Sequence, residues 1–535
     1  MITKDELFKT GNQERIWQKY CGFLDLSLAE FMEIQEQLLM DQIDLVYDSP
    51  LAKKFMLRKP KDVTEFRRLV PLTIYDDYAP YLDEKNEDVL AVKPYFWTHT
   101  SGRGGTLKWI PYSESAAERA AIYSISLMIL ACATEKGAVE IGSGVRVLHN
   151  LPPRPYITGT LVQLMPRILD MNLIPPPDKY ENADFQARIR AGFEIALRTG
   201  VDFLSSLTAV LIKMGESFTE SSGQLKFNRH MLHPQIMWRL IRAWWQSKRE
   251  GRTLLPKDLW PLKGLACYGM DTAIYREELK HYWGKVPLET YAATETAVIA
   301  THAWNKKYMT FVPASCFLEF IPEAEWLKSR GNKNYQPATV LLNEARPEQR
   351  YEVIVTSFYG MPFLRYRLGD LIKIVALGDE EAGIKLPQMV FDSRVGDLID
   401  VAGFARLDEK TIWQAIVDTG VKHVDWTVRK EYEHNKPTIR LYIELKEEIE
   451  SADLERLISQ ELVRHNPDYR DLESMIGLCP LRVTLLPLQS FQRYYEAKQA
   501  AGADLSRLKP PHMNASDSMI QDLLGQDKNG QKRVS

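Results

Sequence analysis

The constraint that most limits the fold is an alternation of two apolar patterns that runs through most of the chain. Residues 13–56 place Trp17, Tyr20, Leu24, Leu28, Phe31, Ile34 and Leu38 at helical spacing. Pro71 then breaks an element, and Thr73 or Asp76 is available to cap a following helix. Residues 114–132 read as a buried helix, 144–148 as a strand, and 197–218 and 234–248 as helices. Short runs at 262–268, 285–291, 317–321, 351–357 and 371–375 have strand character. Proline-rich 151–155 and 174–177 mark loops between elements. Helices that alternate with strands in this way predict a large α/β domain with extensive sheet. Near Phe391 the pattern changes: strands at 423–429, 439–445 and 481–486 surround one helix at 452–464, as in a small α+β domain. The predicted division is 1–390, 391–513 and a polar tail at 514–535.

A chain of 535 residues is too long for a single core and excludes a small binding module. Lys plus Arg (68) nearly balance Asp plus Glu (71), so no global field favours nucleic acid or acidic lipid. Cys21, Cys132, Cys267, Cys316 and Cys479 form no Cys-x-x-Cys pair and read as buried apolar residues in a reducing compartment. The acidic start and the serine-interrupted run at 122–133 predict a soluble, cytoplasmic protein without a membrane span. No sequence feature specifies an oligomeric state.

Five short clusters carry chemistry. Thr98-His99-Thr100-Ser101-Gly102-Arg103-Gly104-Gly105-Thr106-Leu107-Lys108 follows an apolar Tyr-Phe-Trp run. Its hydroxyls and glycines let backbone N–H groups turn toward an anion, with Lys108 at the rim; the same letters also suit an ordinary connection between strands. Tyr291-Ala292-Ala293-Thr294-Glu295-Thr296 offers an aromatic face for a purine, a hydroxyl for phosphate and a carboxylate for Mg²⁺, or alternatively a capped helix start. In Arg365-Tyr366-Arg367-Leu368-Gly369-Asp370, Asp370 can accept from both hydroxyls of a ribose, while the arginines suit a ligand or a structural ion pair equally. Arg394 lies where the second domain begins and can fork onto phosphate or ribose oxygens, or belong to a polar linker. Lys509, beside Pro510 and Pro511, is more restrained than most lysines near a C-terminus.

The order of these clusters resembles the adenylate-forming superfamily of acyl-CoA synthetases, luciferases and peptide-synthetase adenylation domains. Within it, the chain is most similar to the Gretchen Hagen (auxin-responsive promoter) family of acyl acid amido synthetases. Segments 66–75, 317–322 and 360–370 carry that closer likeness, which spans about residues 10–513. The resemblance implies that Thr100, Ser101, Gly102, Arg103, Gly104 and Gly105 face ATP phosphates, with Lys108 contributing charge. It implies that Tyr291 borders the adenine, Thr294 the α-phosphate and Glu295 the Mg²⁺, and that Asp370 holds the ribose with Arg394 close by. Lys509 matches the lysine of a mobile C-terminal lid, and Gly269 and Met270 fall beside the acyl acid, with residues 154–169 and 201–214 as walls of its pocket.

The implied activity is ATP-dependent adenylation of a small carboxylic acid, followed by acyl transfer to an amine such as an amino acid. An acyl-CoA ligase shares the first step, and a non-catalytic relative that binds nucleotide or acid is a third reading. Two departures bear on this choice. Arg103 stands where the family has a hydroxyl, and His512 where the late Lys-x-Pro-Arg motif has its arginine.

Overall fold

The structure, a computed structural model, describes residues 4–100, 108–151, 153–180, 183, 185–221, 233–268, 272–273, 275–330, 335–394, 399–401, 405–433, 436–466, 469–470, 479–500 and 512–525. It is a mixed α/β protein of two compact units, one comprising Met1–Leu368 and Ile372–Asp392, the other Gly369–Leu371 and Ser393–Ser535.

In chain order the strands that lie wholly or mostly in the first unit are β1 (Phe96–Thr100), β2 (Lys108–Tyr112), β3 (Val145–Asn150), β4 (Met171–Ile174), β5 (Phe203–Leu207), β6 (Gly264–Tyr268), β7 (Leu288–Ala293), β8 (Ala297–His302), β9 (Met309–Phe311), β10 (Cys316–Pro322), β11 (Arg350–Ser357), β12 (Tyr366–Ala376) and β13 (Gln388–Arg394). Eleven of these form one sheet in the order β10-β11-β12-β13-β9-β8-β7-β6-β5-β3-β4. From β4 to β7 neighbours run parallel, which requires helical crossovers. From β7 to β9 and in the β13–β9 and β10–β11 pairs they run antiparallel.

One expectation fails here. The apolar pattern at 197–218 is not one helix but the end of a helix (Phe185–Thr199), strand β5 and a second helix (Thr208–Ser221). Gly200, at φ +85°, adopts a left-handed conformation that ends the first helix. Strand β5 lies between β3 and β6 and is buried along nearly its whole length, so it lacks the alternation that marks a half-exposed strand.

The Glu114–Cys132 helix packs across this sheet. Ser113 caps it by accepting from the Ala116 amide, and fourteen of its nineteen residues are buried. By length and a mean hydropathy of 1.3 it is apolar enough to cross a bilayer, but 72% of that window is buried inside the protein, as a core helix is. Its serines do not interrupt it, because the Ser124 hydroxyl donates to the Ala120 carbonyl (2.9 Å) and that of Ser126 to the Tyr20 carbonyl (2.6 Å).

The edge strand β10 is covered by the Leu28–Val46 helix, whose start carries a Ser27/Glu30 capping box. The Gln35 amide donates to the Cys316 carbonyl (2.8 Å) and accepts from the Leu318 amide (2.9 Å), so a side chain takes the place of the missing strand.

The second unit contains β14 (Ile399–Val401), β15 (Ala405–Leu407), β16 (His423–Glu433), β17 (Lys436–Leu445) and β18 (Leu481–Leu485). Strands β16 and β17 pair antiparallel and β17 and β18 parallel. Ile439, Leu441 and Ile443 pack with Ile412, Leu454 and Ile458 of two helices, while Tyr442 packs with Phe491 and Leu523. This is the period-two alternation of a strand covered on both faces. The polar stretch expected from 514 holds a further helix, Asp517–Leu524, because Met519, Ile520 and Leu523 give it one buried stripe. Of the five cysteines, Cys21, Cys132, Cys267 and Cys316 are buried, whereas Cys479 is exposed, contrary to the expectation for all five.

Candidate active site

Strands β1 and β2 form a separate hairpin in register from Phe96↔Tyr112 to Thr100↔Lys108. Residues 101–107 join its paired ends, so Ser101, Gly102, Arg103, Gly104 and Gly105 lie outside the described residues, and Thr100 is described by its backbone alone. The hairpin is held on three sides. The Thr98 hydroxyl donates to the Pro155 carbonyl (2.6 Å), just before the Ile157–Leu164 helix. The Tyr75 hydroxyl accepts from the Trp109 amide (2.7 Å) and donates to Asp83 (2.7 Å), and the Lys108 ammonium stands 5.1 Å from the Tyr75 ring centre. The Tyr112 hydroxyl donates to the Thr294 carbonyl (2.8 Å), which ties the hairpin to the second cluster.

Thr294 and Glu295 do not begin a helix. They turn the chain from β7 into antiparallel β8, with the Thr296 amide donating to the Ala293 carbonyl (3.2 Å) and Ala297 at φ +64°. The helix-cap alternative is therefore wrong, since the next residues enter a ladder rather than a first turn. The Ser357 hydroxyl fixes this turn by donating to the Glu295 carbonyl (2.9 Å). The Glu295 side chain is buried, and the Tyr366 hydroxyl hydrogen-bonds its carboxylate. Burial, and then the Glu295 charge, hold the Tyr366 phenol far above its ordinary range. Burial does the same to Tyr75 and Tyr112, with Glu295 acting in the same direction on both. A buried carboxylate bonded by one neutral phenol, at the foot of a hairpin whose rim carries Lys108, is a hard oxygen donor suited to Mg²⁺.

The Tyr291 ring is buried and meets the Phe391 ring at 5.8 Å between centres. Asp370 is buried in β12, the strand that also carries Tyr366, and Gly369 before it takes φ +73°, where a side chain would strain the backbone. Arg394 ends β13 and is described by its backbone alone.

The arginines of the third cluster are structural. Arg365, at φ +44°, donates from Nε and Nη2 to Glu319 (3.0 and 2.9 Å) and from Nη1 to the Arg67 and Val70 carbonyls (2.6 and 2.7 Å). Arg367 forks onto Glu352 at 2.9 and 2.6 Å. The ion-pair alternative holds for both.

Behind the Thr294 turn lies a cavity of about 260 Å³. Leu127 and Met128 of the long helix, Ile157, Leu161 and Met165 after the hairpin's Pro155 anchor, and Phe203 of β5 give it an apolar wall. Both segments expected to wall an acyl pocket, 154–169 and 201–214, contribute. Tyr268 also lines this space, with its hydroxyl bonded to Ser205. Gly269 and Met270, which follow it, lie outside the described residues. His149 also lines the cavity; its Nε2–H donates to the Pro175 carbonyl (3.0 Å), and burial lowers its pKa to about 4, so at neutral pH it offers no positive charge.

Sequence reasoning missed Tyr366, which holds the Glu295 carboxylate, Ser357 and Tyr112, which hold the backbone carbonyls of its turn, and Tyr75, which holds the hairpin beside it. The only local signal was Tyr366's place between two arginines. In the second unit Lys509 lies outside the described residues, whereas His512 is bonded to both Glu409 (2.7 Å) and Asp425 (2.9 Å) and stacked on Trp426.

Over residues 22–288 the chain matches the GH3 family N-terminal domain, over 309–394 the GH3 family central domain and over 409–518 the GH3 family C-terminal domain. It is 24% identical over 471 residues to the indole-3-acetic acid-amido synthetase GH3.8 of Oryza sativa subsp. indica, covering 76% of this chain and 73% of that protein. It is 24% identical over 289 residues to the GH3 domain-containing protein of Mus musculus, where the match spans 50% of this chain and only 51% of the relative. A solved structure of the AtGH3.15 acyl acid amido synthetase in complex with 2,4-DB superimposes with a TM-score of 0.68 at 15% identity, covering 98% of this chain and 97% of that one, which is likeness of fold. With its N-terminal, central and C-terminal domain models matched in order along the chain, this protein belongs to the GH3 family.

Proposed function

We propose that the protein is an ATP-dependent acyl acid amido synthetase, which adenylates a small carboxylic acid and transfers the acyl group to an amino acid. The observation that carries this reading is the Thr294-Glu295 turn. It joins the hairpin that leads into the Gly-rich stretch, the buried carboxylate and the apolar cavity within one set of contacts. A cytoplasmic setting goes with this reading.

A carboxylate does not acylate an amine at neutral pH, because its charge shields the carbonyl and oxide is a poor leaving group. In the first half-reaction a carboxylate oxygen attacks the α-phosphorus of ATP, and the bond to the bridging oxygen breaks to release pyrophosphate. In the second, the amine nitrogen attacks the acyl carbon, AMP leaves with the C–O electron pair, and the amine loses a proton. Thr100, Ser101, Gly102, Arg103, Gly104 and Gly105 are assigned to the phosphates, Tyr291 to the adenine edge, Thr294 to the α-phosphate, and Asp370 and Arg394 to the ribose. Lys108 and Arg103 offset charge that builds as pyrophosphate departs. Glu295 would hold Mg²⁺, which when bound supplies further neutralisation of phosphate charge. The cavity takes the apolar body of the acid, with Gly269 and Met270 beside its carboxylate. Lys509 serves one of the two half-reactions.

The test is acid-dependent exchange of labelled pyrophosphate into ATP across a panel of apolar carboxylic acids. Exchange with at least one acid, followed by an amide product with pooled amino acids, supports the proposal. A thioester formed with CoA in place of the amide would make the protein an acyl-CoA ligase. ATP binding without exchange across the panel would make it a non-catalytic relative.

A further inference from the structure

The Pro234–Arg249 helix has two apolar stripes, and the broader one faces outward. Ile236, Ala243 and Ser247 are buried, and Leu240 packs against the core that holds Trp260. On the other side Trp238, Trp244 and Trp245 are 69%, 55% and 68% exposed among the described residues, with Met237 and Ile241 exposed between them. With 3.6 residues per turn, these five side chains cover an arc of roughly 120°. An apolar arc of that width normally faces a core, and a contiguous patch of this kind on a surface marks an interaction site.

The charge on this helix indicates the partner. Its ionisable residues, Arg239, Arg242, Lys248 and Arg249, are all basic, in a chain whose formal net charge is −3. Arg242 and Arg249 lie together just beyond one edge of the arc, and the Lys248 ammonium stands 6.0 Å from the Trp244 ring centre within it. Protein interfaces deplete lysine from their apolar core. Tryptophan bordered by Arg and Lys is the composition of a helix lying in the headgroup boundary of a membrane, where the indole ring is amphipathic and cations meet lipid phosphate.

We propose that the Pro234–Arg249 helix seats the protein on an anionic lipid surface, with the aromatic arc at the headgroup–acyl boundary and the adjoining cations on lipid phosphates. The mode is peripheral, and it is independent of which acid the enzyme activates.

The test sediments the full-length protein with vesicles of phosphatidylcholine alone and with vesicles containing about 30% phosphatidylserine. Expected results are binding to the anionic vesicles with a blue shift of tryptophan emission, and a loss of at least about tenfold in affinity for the triple variant Trp238→Gln/Trp244→Gln/Trp245→Gln. The charge reversal Arg242→Glu/Arg249→Glu, which leaves the arc intact, should abolish the preference for anionic lipid. Far-UV circular dichroism checks that each variant is folded. Wild-type protein that stays in the supernatant with both vesicles, or folded variants that bind as wild type does, would overturn the proposal. So would a concentration-dependent dimer, seen by sedimentation velocity without vesicle binding and abolished by the triple variant, which would make the arc a contact between two copies.

Discussion

The Tyr366 hydroxyl hydrogen-bonds the carboxylate of Glu295, and both groups are buried. A buried carboxylate keeps its charge only with such partners, and a cation bound there would gain from the same low dielectric. Glu295→Gln preserves shape and removes charge. It is expected to lower acid-dependent pyrophosphate exchange at least about tenfold, or ~1.4 kcal/mol in the barrier, and to raise the Mg²⁺ concentration at half-maximal rate. Tyr366→Phe should shift the Mg²⁺ dependence the same way by less, because the phenol acts through the carboxylate. An unchanged Mg²⁺ dependence in Glu295→Gln removes that residue from the metal role.

Arg365 presents a different buried charge. Its guanidinium and the Glu319 carboxylate are nearly inaccessible, and the guanidinium donates to two backbone carbonyls besides. Without Arg365 the buried Glu319 carboxylate keeps only the Thr339 hydroxyl (2.7 Å) and the more distant Arg67 Nε (3.4 Å), so Arg365→Met should destabilise the unfolding transition of the first unit in urea by up to about 3 kcal/mol. Arg365→Met combined with Glu319→Met removes the buried carboxylate as well, leaves Arg67 its part-exposed contact with Glu344 (3.9 Å), and should be more stable than the single variant. Equal stability of the single and double variants would mean that Glu319 is satisfied without Arg365.

These two cases show what a local pattern can and cannot disclose. Glu295 stood out because a carboxylate followed an aromatic residue and a hydroxyl at short spacing, a relationship that lies within the motif. Arg365 was left open between ligand and ion pair because its partner lies 46 residues upstream, and only sheet formation brings the two together. Strand β5 was read as helix for a related reason: burial on both faces removes the alternation by which strands announce themselves. The α/β class itself was legible, since the period of each apolar run decides helix or strand before any tertiary contact forms. The outward tryptophan arc also left a trace, as helical spacing at 234–248, but periodicity does not say which stripe meets the core.

Leu161 lines the cavity and is only partly buried, so it can be changed with little loss of core packing. Leu161→Trp should raise KM about tenfold or more for the bulkiest acid that supports exchange, and leave the smallest nearly unaffected, as apolar pockets discriminate by about 1–3 kcal/mol per methylene-sized change. Leu161→Ala should favour bulkier acids. If both variants keep the wild-type ranking of acids, the acyl group binds elsewhere.

Lys509 stands three residues before His512, whose carbonyl accepts from the Val428 amide at 2.7 Å and so anchors the chain to β16. Lys509→Ala is expected to slow one half-reaction at least about tenfold more than the other, as for a residue present in only one catalytic arrangement. Pyrophosphate exchange and single-turnover amide formation from preformed acyl-adenylate measure the two separately. Equal losses would assign Lys509 to binding common to both.

His512 gives the C-terminal unit a pH dependence of predictable sign. Its imidazole is bonded to Glu409 and Asp425, with the Tyr495 hydroxyl on the far oxygen of Asp425 (3.5 Å) and His423 nearby, whose own pKa is lowered, chiefly by burial, so that it adds no opposing charge in this range. Burial lowers its pKa, but the two carboxylates outweigh that effect and raise it from 6.5 to about 9. A histidine whose folded pKa is raised stabilises fully below its unfolded value and loses that contribution as pH rises through the folded value. The unfolding transition of this unit should therefore weaken by up to about 3 kcal/mol between roughly pH 6.5 and 9. His512→Gln should be less stable at pH 6 and nearly flat across that window. His512→Arg, which restores the arginine of the related motif and stays charged throughout, should keep the stability and remove its pH dependence. Chemical denaturation at a series of pH values decides the matter: the same slope in wild type and His512→Gln would show that this imidazole does not carry the shift.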